Sequence, residues 1–217
     1  MELSFWKNKR VLITGHTGFK GSWMTFWLNQ LGAKVAGFSL APEDSPNLFD
    51  LLNLENSCEN YIEDIRNIDA IKKRIADFKP DVVFHLAAQS IVIRSYEEPV
   101  MTWDTNVMGT LNLLEACRQL QNPCSVVVIT TDKVYENKEW HYAYRENDRL
   151  GGYDPYSSSK AAAELVISSW RNSFFKQPTN VKIASARAGN VIGGGDWTDN
   201  RIIPDIFRYK EAGKTLE

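Results

Sequence analysis

Gly15, Gly18 and Gly21 stand three apart in Thr14-Gly15-His16-Thr17-Gly18-Phe19-Lys20-Gly21, just after the apolar run Val11-Leu12-Ile13 and at the head of a helical pattern reaching Leu31. Glycine permits a tight turn and lets the backbone approach a pyrophosphate. The first turn of a helix adds unpaired amides and a partial positive charge. A strand, this turn and a helix at the head of a chain therefore predict a dinucleotide-binding unit, with residues Gly15, His16, Thr17, Gly18, Phe19, Lys20 and Gly21 around the cofactor. His16 and Lys20 either place polar groups near the phosphates or are solvated loop side chains.

Short apolar runs alternate with stretches of helical period along the rest of the chain. Val11 to Ile13, Lys34 to Phe38, Val82 to Phe84, Ser125 to Thr130 and Val181 to Ala186 read as strands; Gly18 to Leu31, Ile68 to Phe78, Val100 to Leu120 and Tyr156 to Phe174 read as helices. Right-handed crossovers return each helix over the sheet, so the expected fold is α/β: a Rossmann-type, doubly wound parallel sheet with helices on both faces. The stretch from Ala41 to Ser57, with Pro42, Pro46 and several Asn, reads as irregular, either a functional loop or a surface insertion.

An acidic residue usually ends the second strand of such a unit and holds the adenosine ribose. Ser39 follows Phe38 instead, and the nearest carboxylates, Glu43 and Asp44, lie in the loop beyond. A serine can donate to a ribose hydroxyl without repelling a phosphate, so NAD leads NADP only moderately. Asp64-Ile65, closing a candidate third strand, either meets the adenine amino group or is an ordinary acidic loop.

Composition excludes several other classes. With 217 residues, 43% hydrophobic and 24% charged, the chain can bury a core as one globular domain. A net charge of -2 with scattered basic residues offers nothing to a nucleic acid. Cys58, Cys117 and Cys124 are odd in number and lack CxxC spacing, against both a disulfide framework and a zinc or other metal site. The chain start has no leader-like pattern and no apolar run approaches the roughly 18 residues of a membrane helix, which makes the cytoplasm the default compartment.

Two further motifs carry chemistry. Tyr156-x-x-x-Lys160 puts a phenol and an ammonium on one helix face, one turn apart. Tyrosine, with an unperturbed pKa of about 10, becomes a usable base when a neighbouring ammonium and a positive nicotinamide favour its phenolate. The run Thr130-Thr131-Asp132-Lys133 ends the fifth apolar segment and offers a hydroxyl, an acid and a second proton carrier.

Together with His85-Leu86-Ala87-Ala88-Gln89, Asn106 and Arg187-Ala188-Gly189-Asn190-Val191-Ile192-Gly193, these motifs resemble the extended short-chain dehydrogenase/reductases, from about Lys9 to the last residue. Within that superfamily the chain resembles the nucleotide-sugar 4,6-dehydratases. The resemblance implies NAD as cofactor, with Leu86, Ala87 and Ala88 beside it and Lys160 on the nicotinamide ribose. It implies that Thr131 holds the reacting sugar oxygen, that Tyr156 removes its proton and that Asp132 is the acid that protonates a leaving hydroxyl. Many relatives have glutamate as base where this chain has Lys133, and a lysine serves only when neutral. Asp132-Lys133, Gly193-Gly194-Gly195-Asp196-Trp197 and Asp199-x-Arg201 resemble the CDP-glucose 4,6-dehydratases more than the dTDP- or GDP-sugar enzymes.

Gln89, Arg94, Asn190 and Arg201 are the candidate substrate contacts, although Arg94 can equally pair with a structural carboxylate; Trp197 either stacks on a base or packs. The resemblance also implies a homodimer through the two long helices, and a C-terminal substrate domain that residues 1–217 lack. The expectation is an NAD-binding core with three readings open: a sugar-nucleotide 4,6-dehydratase acting on CDP-glucose, an epimerase or reductase of the same fold, or a noncatalytic dinucleotide-binding module.

Overall fold

The computed structural model describes residues 3–43, 45–176 and 179–215. Its strands are β1 (Arg10–Thr14), β2 (Lys34–Ser39), β3 (Glu59–Ile62), β4 (Val82–His85), β5 (Cys124–Thr131) and β6 (Val181–Ala188). They pair in parallel in the order β3-β2-β1-β4-β5-β6. This is the expected doubly wound sheet. Its winding reverses between β1 and β4, which opens a crevice beyond the C-terminal ends of those strands.

The helices are α1 (Phe19–Gln30), α2 (Leu48–Leu51), α3 (Ile68–Phe78), α4 (Val92–Glu97), α5 (Pro99–Trp103), α6 (Gly109–Cys117), α7 (Pro155–Ser173) and α8 (Ile202–Glu211). On one face of the sheet Leu12, Phe38, Val83, Val126 and Val128 pack under Ile71 and Ile75 of α3, Leu113 and Leu114 of α6 and Ile167 of α7. On the other, Val11, Ile13, Val35 and Val82 meet Leu28 of α1. Cover is uneven on that second face, where Lys182, Ala184 and Ala186 of β6 remain exposed.

The long helix expected from Val100 to Leu120 is three pieces. α5 runs into a π turn, Asp104–Met108, before α6 begins. The wider turn buries Asn106, whose Oδ1 accepts from Gln89 N at 2.9 Å and whose Nδ2 donates to Ser159 Oγ at 2.9 Å. One amide thus ties the loop after β4 to α7. The stretch expected to be irregular contains α2, capped where Asn47 accepts from Asp50 N. β3 stops at Ile62, so Asp64 lies in the following loop rather than in the strand.

Cys58, Cys117 and Cys124 are free, as expected, and burial pushes Cys58 to about 11 and Cys124 to about 12, which leaves them unreactive. Among the described residues no helix is long and apolar enough to cross a membrane.

Candidate active site

The glycine turn is shaped by close approach. Gly15 has φ +75°, and a Cβ on it would lie 2.7 Å from Ala87 N; a Cβ on Gly21 would lie 2.0 Å from Gly15 O. The turn therefore nests against the loop after β4. Leu86 N and Ala87 N both donate to Thr14, at its carbonyl and its Oγ1. Gly18 caps α1 with no side-chain hydrogen bond, so the first amides of that helix are left for a ligand.

Two side chains of the turn do not point where the sequence suggested. His16 is wholly buried, sits above Gly37 of β2 and bonds through Nε2 to Asn60 Oδ1 at 2.7 Å. Its ring is a spacer between strands, not a phosphate contact, and burial holds its pKa below the ordinary value against the Asn60 bond. Thr17 is spent as well: its Oγ1 donates to Leu40 O at 2.8 Å and lies 2.9 Å from Ser39 Oγ. A hydroxyl has one hydrogen, so Ser39 donates to Thr17 and keeps its lone pairs for a ligand. Ser39 thus has lone pairs to offer a ribose hydroxyl, rather than the proton expected. Of the two loop carboxylates, Glu43 pairs with Arg94 and Asp44 lies outside the described residues.

Asp64 is gripped by Arg66, which bonds both oxygens and holds the carboxyl below its ordinary value. Ile65 packs in the core, and its carbonyl accepts from Asn112 Nδ2. Gln89 and Arg94 are corrections. Gln89 is buried, its Nε2 donates to Thr102 Oγ1 and its Oε1 accepts from Ile91 N, so its amide is consumed in shaping the loop. Arg94 pairs with Glu43 at 2.7 Å and Glu98 at 3.4 Å on the surface, the structural alternative.

The catalytic candidates do come together. Thr131 ends β5, Tyr156 is the second residue of α7, and the Thr131 hydroxyl acts on the phenol, opposing the effect of its burial. Thr131 Oγ1 also donates to Asp132 Oδ1 at 3.0 Å. Asp132 and Lys133 are exposed, and Asp132 Oδ2 lies over Gly189, where a Cβ would stand 3.4 Å away. Asn190 follows that glycine and is exposed toward solvent.

Electrostatics here differ from the expectation. Burial raises the Tyr156 pKa, and the groups opposing burial are the Thr131 hydroxyl and the Arg201 guanidinium. Lys160 is buried and donates through Nζ to Ile129 O at 3.2 Å, turned toward β5 rather than toward the phenol. Burial, then repulsion from Lys20, brings Lys160 down to about 8, with Glu164 opposing. His85, buried behind it between Thr14 and Thr110, is pushed to about 3 by burial and by Lys160, and is neutral.

One network escaped the sequence reading. Glu164, 5% exposed, accepts from Thr130 Oγ1, Ser185 Oγ and both Nε and Nη2 of Arg187. Arg187 also bonds Tyr135 Oη and Glu146 O. β5, β6, α7 and the segment after Tyr135 are clasped just behind the catalytic strand end. The signal was present: Glu164 extends the Tyr156 and Lys160 spacing by one more turn. Arg201 bonds Asp196 Oδ2 at 3.4 Å and Ser90 Oγ at 3.1 Å, which brings α8 and the β4 loop to one cleft.

Comparison with known proteins narrows the reading. The family model described as GDP-mannose 4,6 dehydratase matches residues 12–211. The chain is 54% identical to CDP-glucose 4,6-dehydratase of Salmonella typhimurium, over all of this chain and 61% of that protein. It is similar in structure to Thermus thermophilus UDP-glucose 4-epimerase in complex with NAD, at TM-score 0.79 and 29% identity, over 95% of this chain and 64% of that one. A dTDP-glucose 4,6-dehydratase from Streptomyces venezuelae shares the fold at TM-score 0.82 and 24% identity, over 95% of this chain and 63% of that one. The chain thus spans less than two thirds of the length of each of these proteins.

Proposed function

This chain belongs to the GDP-mannose 4,6 dehydratase family, and from that membership and the site we propose that the whole protein is an NAD-dependent hydro-lyase that converts CDP-glucose to CDP-4-keto-6-deoxyglucose. The cytidine nucleotide is favoured by the 54% identity to a CDP-glucose 4,6-dehydratase.

A dinucleotide fits the residues present. The backbone of Gly15–Gly21 and the uncapped start of α1 would hold its pyrophosphate, and Ser39 would accept from the adenosine ribose. Asp64 and Ile65 would border the adenine, with Leu86, Ala87 and Ala88 along the floor. Lys160 would hold the nicotinamide ribose. When bound, NAD supplies the hydride acceptor for carbon 4 of the sugar and the hydride donor for carbon 6.

Tyr156 takes the proton of the carbon 4 hydroxyl while Thr131 holds that oxygen. A ketone at carbon 4 acidifies the carbon 5 proton, because the resulting carbanion is delocalised into the carbonyl. Lys133 removes that proton and Asp132 protonates the hydroxyl leaving carbon 6. Lys133 is exposed in this structure, so substrate seated over it supplies the dehydration that a neutral lysine requires. Asn190 and Arg201 are the substrate contacts kept from the sequence; Gln89 and Arg94 are withdrawn.

The observation that carries the reading is the placing of Asp132 and Lys133 directly after Thr131, whose hydroxyl donates to Asp132 Oδ1 at the end of β5. An epimerase or reductase needs Thr131, Tyr156 and Lys160 but has no task for that acid and amine. Mass spectrometry of CDP-glucose incubated with the full-length enzyme and NAD in deuterated water tests this. Loss of one water with one solvent deuterium gained is expected; a product that keeps all its water would refute elimination.

The assembly proposed is a homodimer through α5–α6 and α7, where Val100, Trp103, Met108 and Leu165 are exposed. Light scattering is expected to give twice the chain mass. Unpaired thiols favour a reducing compartment, here the cytoplasm.

A further inference from the structure

Asp132 and Lys133 are exposed, so packing of their own side chains does little to fix where they point. Their direction comes from the turn that carries them, Asp132–Val134, a single 3₁₀ turn. A turn this short holds itself weakly. Lys133 N reaches Thr131 Oγ1 at 3.3 Å and Tyr135 N reaches Asp132 O at 3.3 Å, both long for such bonds. The groups assigned to oxidation at carbon 4 are mounted differently: Thr131 pairs with Ala188 in the β5–β6 ladder, and Tyr156 and Lys160 ride on the 19-residue helix α7. An acid and an amine that must meet carbon 5 and the leaving hydroxyl of one sugar therefore need support from outside their turn.

Tyr135, the next residue, supplies it. The Arg187 guanidinium lies 4.9 Å from its ring centroid and donates through Nη1 to its Oη at 2.9 Å, and the Tyr144 ring stacks on it at 5.0 Å and 13°. Arg187 Nη1 also donates to Glu146 O at 3.0 Å, so one guanidinium holds both limbs of the excursion between Tyr135 and Leu150. The limbs themselves pair where Glu136 N donates to Arg149 O at 2.9 Å and Gly151 N to Val134 O at 2.8 Å. Arg187 is in turn fixed through Nε and Nη2 by the buried Glu164. Two residues along β6, on the same face of the strand, Gly189 leaves room for Asp132 Oδ2. One strand thus bears on both ends of the turn, at Asp132 through Gly189 and at Tyr135 through Arg187.

We propose that Tyr135 and Arg187 are positioning residues for the elimination step: they aim the Asp132–Lys133 turn at the sugar and leave oxidation at carbon 4 to groups held by the sheet and α7. The inference rests on the dehydratase reading. Its consequence is selective. Loosening Tyr135 slows removal of the carbon 5 proton by Lys133 and protonation of the leaving hydroxyl by Asp132, while the step assigned to Thr131, Tyr156 and Lys160 keeps its rate. The 4-keto sugar then waits in the site beside reduced nicotinamide.

The test compares the full-length wild type with Tyr135→Leu, Tyr135→Phe and Arg187→Lys on CDP-glucose and NAD, after thermal unfolding has shown that each is folded. Leucine loses both the stacking and the bond, phenylalanine keeps the ring, and lysine keeps a cation for Glu164 but has one nitrogen and cannot span Glu164, Tyr135 and Glu146. Tyr135→Leu and Arg187→Lys are expected to slow water loss by about 10-fold or more, with the near-ultraviolet absorbance of reduced nicotinamide building up during turnover; Tyr135→Phe should stay within about 3-fold of wild type. In the cofactor-free proteins, amide hydrogen exchange at residues 133–136 should quicken in the same two variants while β5 is unchanged. Slower turnover with no build-up of reduced nicotinamide would mean that every step is hurt alike and would overturn the proposal, as would unchanged turnover. Should Tyr135→Leu not fold, Arg187→Lys decides by the same outcomes. A wild type whose product keeps all its water overturns the dehydratase reading and the proposal together, whereas a wild type that loses water beside variants that lose it equally fast overturns the proposal alone.

Discussion

Lys160→Met is expected to make the cofactor-free protein more stable while destroying its activity. Lys160 is 7% exposed, and its pKa falls from an ordinary 10.5 to about 8. Each factor of ten in protonation is about 1.4 kcal/mol, so keeping this lysine charged in the folded state costs about 3 kcal/mol at pH 7. Methionine has similar reach and no charge. It forfeits the bond to Ile129 O, worth about 1 kcal/mol, which leaves a net gain of about 2 kcal/mol. The sign with pH follows from the depressed value: between about 8 and 10.5 the unfolded chain binds a proton that the folded one lacks, so the wild type gains stability as pH rises through that window. Urea unfolding of both proteins without NAD should therefore give a gap of about 2 kcal/mol at pH 7 that closes near pH 9.5. A variant less stable at pH 7, or a gap unchanged by pH, would refute the idea that Lys160 is held charged at a cost to the fold.

Other changes probe the rest of the site. Tyr156→Phe keeps the packing and removes the proton carrier; kcat should fall by about 10²–10⁴, with NAD affinity in titration little changed. Glu164→Gln leaves the Arg187 charge buried without its partner, and denaturant unfolding should show a loss of about 3–5 kcal/mol at pH 7. Because the folded Glu164 pKa is depressed, its contribution is present above the ordinary carboxylate range and lost as pH falls through the lower folded value, so the difference between wild type and variant should shrink only under strongly acidic conditions. Arg94→Ala breaks exposed pairs with Glu43 and Glu98 and should change kcat/KM by less than about 3-fold, the small effect ordinary for surface ion pairs.

The sheet was legible because β1, β2, β4 and β5 are dense runs of Val, Ile, Ala and Phe that the fold largely buries from both sides, while β6, at one edge, keeps Val181, Ile183 and Ala184 to Ala188 in a readable alternation. β3 was harder: an edge strand, Glu59–Ile62, pairs on one side only and carries no such run. The π turn at Asp104–Met108 was invisible because its sequence keeps helical period on either side, and its reason, the inward reach of Asn106, is tertiary. Spacing put Thr131 at the end of a strand and Tyr156 and Lys160 one turn apart on one helix, as the structure has them, since strand and helix periods follow from the backbone alone; it did not show that the Lys160 ammonium turns to Ile129 O. Loop residues have no such rule. His16, Gln89 and Arg94 are polar residues in the right places whose side chains turn to Asn60, Thr102 and Glu43 instead.

The proposed reaction moves one hydrogen within the sugar while solvent supplies another, and that is its most direct test. CDP-glucose deuterated at carbon 4 would be incubated with the full-length enzyme and NAD in ordinary water, and the deuterium located in the product by NMR. The account predicts deuterium at carbon 6 of a 4-keto-6-deoxy sugar, carried there by the cofactor after Asp132 and Lys133 complete the loss of water. Deuterium still at carbon 4 of a sugar that retains every hydroxyl would contradict it and assign the site to epimerisation or to binding without turnover.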